Sequence, residues 1–182
     1  MELVFCRVVW NHQAPEFRMP GTRWFDLHID PDANHPFGRK GYALDTAWHT
    51  LGTKECAGML LMDADVSIDP LDYASMGEAV NDEPTAVHTA PVRLWPASTQ
   101  RPSWIWGHWC DDCGRGQQLC LKPDRFTFSF TYLPRRVLEG AARDGLKSWT
   151  FPGVDMHMAA SAKRLGIPVR VVAECFPKHM HY

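Results

Sequence analysis

The chain has 182 residues, 45% of them hydrophobic, and a formal net charge of −2. That length and apolar fraction predict one globular domain with a true core. The near-neutral balance excludes an extended basic footprint for nucleic acid, though not a nucleic-acid acceptor held in a small site. No apolar run reaches membrane-spanning length and no cleavable leader is legible, so a cytoplasmic setting is expected. In that setting the six cysteines are thiols or metal ligands rather than a disulfide frame.

Residues 3–10 read as a buried strand, rich in β-branched and aromatic side chains. Residues 11–23 form a polar, proline-containing loop, and 24–29 a second strand that runs into the turn-rich Asp30-Pro31-Asp32. Leu44, Ala47, Trp48 and Leu51 recur at i, i+3, i+4 and i+7, which predicts a helix stopped by Gly52. Residues 58–63 form an apolar strand ending in Asp63. Asp69-Pro70 opens a short helix reaching Val80. Residues 85–94 read as one strand, 95–122 as an irregular insertion rich in Cys and Trp, and 126–132 as a further strand. Pro134 suits the first turn of a helix ending near Asp144, with Val137, Leu138 and Ala141 inward. A helix over 155–165 buries Met158, Ala162 and Leu165 and stops at Gly166. A last strand covers 169–173, and a tail from Pro177 carries two histidines. Strands alternating with helices predict an α/β fold, a mostly parallel Rossmann-like sheet flanked by helices.

The stretch Met62-Asp63-Ala64-Asp65 carries the chemistry. In an extended backbone residues i and i+2 share a side, so Asp63 and Asp65 can converge on one point at a strand's end. Ligands of open α/β sheets bind there. Two hard oxygen donors suit Mg²⁺ or Mn²⁺ that also grips a diphosphate. The plainer alternative makes Asp63 a turn cap and Asp65 a solvated loop acid.

A basic pair, Arg39-Lys40, precedes the helix before this strand. Much later Pro152-Gly153-Val154-Asp155 opens a helix, and a final strand leads to His179 and His181. In this order the motifs resemble a glycosyltransferase of the GT-A fold, family 2-like, from about Gly38 onward. The resemblance implies a nucleotide-diphosphate sugar donor and an acceptor hydroxyl on a protein, glycan, small molecule or modified nucleobase. It implies that Asp63 and Asp65 bind the metal and donor diphosphate, with His179 or His181 completing the metal shell. Asp155 is then the catalytic base of an inverting transfer, although Val154 stands where many members carry Glu. The first βα unit is shorter than the family's, and Asp30 or Asp32 takes the base and ribose role there. Arg39 and Lys40 can hold diphosphate oxygens. For each of these residues a plain structural role stays open: helix cap for Asp155, solvated helix start for Arg39 and Lys40, free tail for the histidines.

The insertion offers a second site. His108, Cys110, Cys113 and Cys120 have zinc-ligand character, and a tetrahedral Zn²⁺ would staple a segment with little core of its own. Three reduced thiols in a loop are the alternative. Trp104, Trp106 and Trp109 lie where acceptor contacts are expected. Cys6, Cys56 and Cys175 read as small buried apolar residues. Two rival functions remain: a sugar-1-phosphate nucleotidyltransferase, which normally shows a glycine-rich phosphate loop near its N-terminus, and a non-enzymatic zinc-stapled binding module.

Overall fold

The computed structural model describes residues 4–10, 23–29, 44–45, 48–49, 57–63, 66–95, 105–106, 108–110, 114–115, 125–126, 129–145 and 154–180. The strand expected near the N-terminus is β1 (Val4–Trp10), which pairs in parallel with β2 (Arg23–Ile29) on one side and β3 (Gly58–Asp63) on the other. Three further strands complete this sheet: β5 (Val87–Thr89), β11 (Phe130–Pro134) and β12 (Val169–Val171). The spatial order is β12-β5-β11-β3-β1-β2. Only β11 runs against its neighbours; the other adjacent pairs are parallel.

Near-continuous apolar strands are what a sheet covered on both faces requires. In β3, Met59 and Leu61 point to one face, and Leu60 and Met62 to the other. The first face meets α2 (Arg135–Arg143) through Val137, Leu138 and Ala141, and α3 (Val154–Arg164) through Val154, Met158 and Ala162. Leu44 and Trp48, from the helical residues near 44–49, are buried in the same cluster. The second face meets α1 (Pro70–Asp82) through Met76 and Val80. Each inward residue expected of α2 is fully buried. Among the described residues no helix is long and apolar enough to cross a membrane.

Local chemistry sets the helix ends. Asp69 caps α1, its side chain accepting from the N–H groups of Leu71 and Asp72 at 2.8 and 2.9 Å. Pro134 ends β11 and caps α2 at φ −67°, a value its ring already imposes. Gly166 closes α3 at φ 65°, the left-handed position that a side chain would strain. The two helices on the first face cross closely at Gly140, where a Cβ would come within 2.8 Å of Leu165.

Two predicted strands break where one was expected. Residues 85–94 divide into β5 and β6 (Val92–Trp95), separated by Ala90-Pro91. Pro91 has no N–H to continue a ladder, so the chain changes sheets there. Residues 126–132 divide likewise into β10 (Arg125–Phe126) and β11, with a turn at Ser129.

The changes of sheet build a second layer of pairing. β4 (Val66–Ser67) follows β3 after two residues, as β6 follows β5 after two. Both join a four-stranded sheet ordered β4-β13-β6-β7, with β7 at Ile105–Trp106 and β13 at Lys178–Met180. A third sheet, β10-β8-β9, places β8 (His108–Cys110) between β10 and β9 (Gly114–Arg115).

Candidate functional site

Strand β1 leads to β2 on one side while its other neighbour, β3, leads on toward β5 on the opposite side, so the direction of the connections reverses between β1 and β3. Such a reversal opens a crevice at the carboxyl ends of the strands. Asp63 is the last residue of β3 and pairs in register with Val8 of β1. It is half-buried. By alternation from Met59 and Leu61 it belongs to the face covered by α2 and α3.

Asp65 lies outside the described residues, but its neighbour Val66 opens β4. The C-terminal tail comes to that strand. β13 runs antiparallel to β4 and parallel to β6, with His179 opposite Val66 and Leu94. The backbone therefore sets residue 179 across from the residue that follows Asp65. His181 lies outside the described residues. No periodicity connects a strand at 66 with one at 179; only the pairing does.

Asp155 lies in the first turn of α3, one residue inside a helix that starts at Val154. It is half-buried, and its carboxylate accepts from the Met156 N–H at 3.0 Å. The positive end of the helix favours its ionised form. Val154 is buried in the cluster that holds Met59 and Leu61. Asp63 and Asp155 are thus carried by elements packed on the same face of the sheet.

The remaining candidates are placed by backbone alone or not described. Trp106 lies in β7 opposite Val92 of β6, two strands from the tail. Trp109 of β8 pairs with Arg115 and Arg125, and His108 with Phe126. Cys110 pairs with Gly114. Asp30, Asp32, Arg39, Lys40, Trp104, Cys113 and Cys120 lie outside the described residues. Among the described residues no group of three or more His, Cys, Asp or Glu gathers as a metal site. Carboxylate oxygens with an imidazole, the set expected from the sequence, are of the kind that Mn²⁺ or Mg²⁺ accepts. Cys175 is buried and free, as its apolar reading predicts.

Two residues carry structure that no motif announced. Asp72 is buried at 7% exposure and bonded on both carboxylate oxygens. Its signal was the spacing Asp69-x-x-Asp72, a capping-box pattern. His88, 3% exposed, lies at the other end of the sheet. Its Nε2 meets the Glu83 carbonyl at 2.8 Å, which requires the proton on that nitrogen and leaves Nδ1 an acceptor. Nδ1 finds no partner among the described residues, and burial pushes the imidazole's pKa down. A cavity of about 320 Å³ lies beside it, lined by Glu78, Asp82 and the Arg170–Glu83 ion pair among others.

No protein-family model and no curated protein sequence matches the chain. Its fold does match solved structures. The A197 protein from STIV superposes with a TM-score of 0.66 at 16% identity, over 100% of this chain and 87% of that one. GalNAc-T7, crystallised with UDP, GalNAc and Mn²⁺, superposes at 0.60 and 8% identity, over 99% of this chain and 44% of that one. A glycosyltransferase involved in glycosylating the major capsid of PBCV-1 superposes at 0.52 and 13% identity, over 94% and 81%. The chain spans less than half the length of the GalNAc-T7 structure. The fold is the GT-A-like fold of glycosyltransferases, as the order of motifs implied.

Proposed function

We propose that this protein is a metal-dependent glycosyltransferase that moves a sugar from a nucleotide-diphosphate donor to an acceptor hydroxyl, with inversion. One observation supports the reading. In a fold that GalNAc-T7 shares, crystallised with UDP and Mn²⁺, His179 of the C-terminal strand pairs with Val66, the residue that follows Asp63-Ala64-Asp65 in sequence.

Asp63 and Asp65, with His179 or His181, hold Mn²⁺ or Mg²⁺. A divalent ion there offsets the negative charge that develops on the departing diphosphate. Arg39 and Lys40 take diphosphate oxygens, and Asp30 or Asp32 takes the ribose or base. The acceptor oxygen attacks the anomeric carbon, the bond from that carbon to the diphosphate breaks, and the electron pair leaves with the diphosphate. Asp155 receives the acceptor's proton as general base. Trp104, Trp106 and Trp109, in the insertion over 95–122, offer ring faces to the acceptor. A structural Zn²⁺ held by His108, Cys110, Cys113 and Cys120 would keep that insertion in shape.

The test is a screen of nucleotide sugars for thermal stabilisation with and without Mn²⁺, since a ligand bound only to the native state raises apparent stability. Stabilisation by one nucleotide sugar, lost in EDTA and in Asp65→Ala, is the expected result. Full transfer activity in excess EDTA would refute metal dependence. Formation of a nucleotide sugar from a sugar-1-phosphate and a nucleoside triphosphate would replace transfer by nucleotidyl chemistry.

A further inference from the structure

The tail strand β13 lies against β4, and a buried carboxylate bonds the chain on both sides of that pairing. Asp72 is the third residue of α1. Its Oδ2 accepts from the Asp69 N–H at 3.1 Å, the local half of a capping box. Its Oδ1 accepts from the Phe176 N–H at 2.8 Å, a residue 104 positions away. Cys175 adds a third tie, its Sγ donating to the Asp72 carbonyl at 3.3 Å. Burial and the neighbouring Asp72 carboxylate raise the thiol's pKa far above its ordinary value, so it stays a protonated donor. Cys175 itself is fully buried in the cluster of α1's Met76 and Val80.

These bonds sit at one small junction. Two residues separate α1 from the end of β4, and one separates β13 from Phe176. Asp72 therefore ties the chain just after β4 to the chain just before β13. Those are the two strands whose pairing sets residue 179 opposite Val66. A helix cap alone needs only one of the two carboxylate oxygens. The second oxygen serves the tail.

We infer that Asp72 is a positioning residue for the proposed metal site: its carboxylate locks β13 against β4 and so holds the strand that carries His179 beside the strand that follows Asp63-Ala64-Asp65. This rests on the metal reading above. Groups that orient a metal ligand at second hand commonly matter about 10- to 100-fold in affinity.

The experiment compares Asp72→Asn, which keeps the size but gives up one acceptor, with Asp69→Ala, which removes only the helix cap. Mn²⁺ affinity is read by the loss of free-ion spin resonance, and tail order by hydrogen exchange of the amides over 175–180. Asp72→Asn should weaken Mn²⁺ binding about 10-fold and speed tail exchange by a similar factor. Asp69→Ala should lower the melting temperature and change neither. In a chain that also carries His179→Ala and His181→Ala, Asp72→Asn should alter Mn²⁺ affinity by less than about twofold, because the ligand it positions is gone. Affinity unchanged in Asp72→Asn, or an equal loss in both backgrounds, would overturn the inference alone. A wild-type chain that binds no Mn²⁺ would overturn the metal reading and the inference with it.

Discussion

The two ends of β3 are built for opposite purposes. At Gly58 the strand is sealed. A Cβ there would collide with the Tyr132 side chain and the Leu133 carbonyl. The Tyr132 hydroxyl donates to the carbonyls of Ala57 and Pro84 at 3.2 and 3.3 Å, and the Arg135 N–H donates to Ala57 at 2.8 Å. At Asp63, the sixth and last residue of the same strand, the chain departs for a second sheet and leaves a half-buried carboxylate. The sealed end shows where stability is concentrated. The other end keeps a carboxylate half out of the core, at the point where the chain passes into a second sheet.

Substitutions at the two ends should therefore separate activity from stability. The largest effect is expected at the open face. Asp155→Asn keeps the side chain's shape but cannot take a proton, so turnover should fall by about 10²-fold or more while donor binding and melting temperature hold. Product configuration should be inverted; a retained product would move the base elsewhere. Gly58→Ala should do the reverse. Overpacking at the sealed end should destabilise the fold by about 1–3 kcal/mol in denaturant titration. The turnover of the molecules that remain folded should be normal, and a lowered kcat would show that the two ends are coupled.

Smaller effects are expected away from β3. If zinc sits at the tip of the β8–β9 hairpin, metal analysis should find about one Zn²⁺ per chain and Cys113→Ser should release it. Global unfolding should shift little, because the three-stranded sheet that bears the hairpin adds only Phe126 to the described core. Ready titration of all these thiols in the native protein, with no zinc released, would remove the site. The smallest effect concerns pH. His88 has its pKa lowered from 6.5, first by burial, so the native state holds fewer protons than the unfolded chain below that pH. Its contribution is complete above about pH 6.5 and is lost as pH falls toward and through the depressed native value. His88→Gln keeps a donor for the Glu83 carbonyl and should flatten the stability profile between pH 7 and 5. An unchanged slope would assign that acid sensitivity to other groups.

Much of this was legible because it is local. The 3.6-residue spacing of Val137, Leu138 and Ala141, and of Met158 and Ala162, named the buried faces of α2 and α3 before any packing was known. An apolar run of strand length ending in Asp63 named β3 and its last residue. Pro70 and Gly166 marked a helix start and a helix stop through their own backbone preferences. Chain order did the rest for fold class, since alternating strands and helices leave few ways to cover a sheet.

Only the tertiary structure decided which strands pair. A proline at 91 signals a break, but nothing near it says that β6 will leave the sheet of β5 and lie beside the C-terminal strand. The tail was equally readable as a free end. It becomes a strand because β4 and β6 present unpaired edges, and because a carboxylate 104 residues earlier accepts the Phe176 N–H. A hydrogen bond to a distant partner leaves no period in the sequence. The neighbours of Asp72 reveal no more than the spacing Asp69-x-x-Asp72; its second oxygen is satisfied only once the chain has closed on itself.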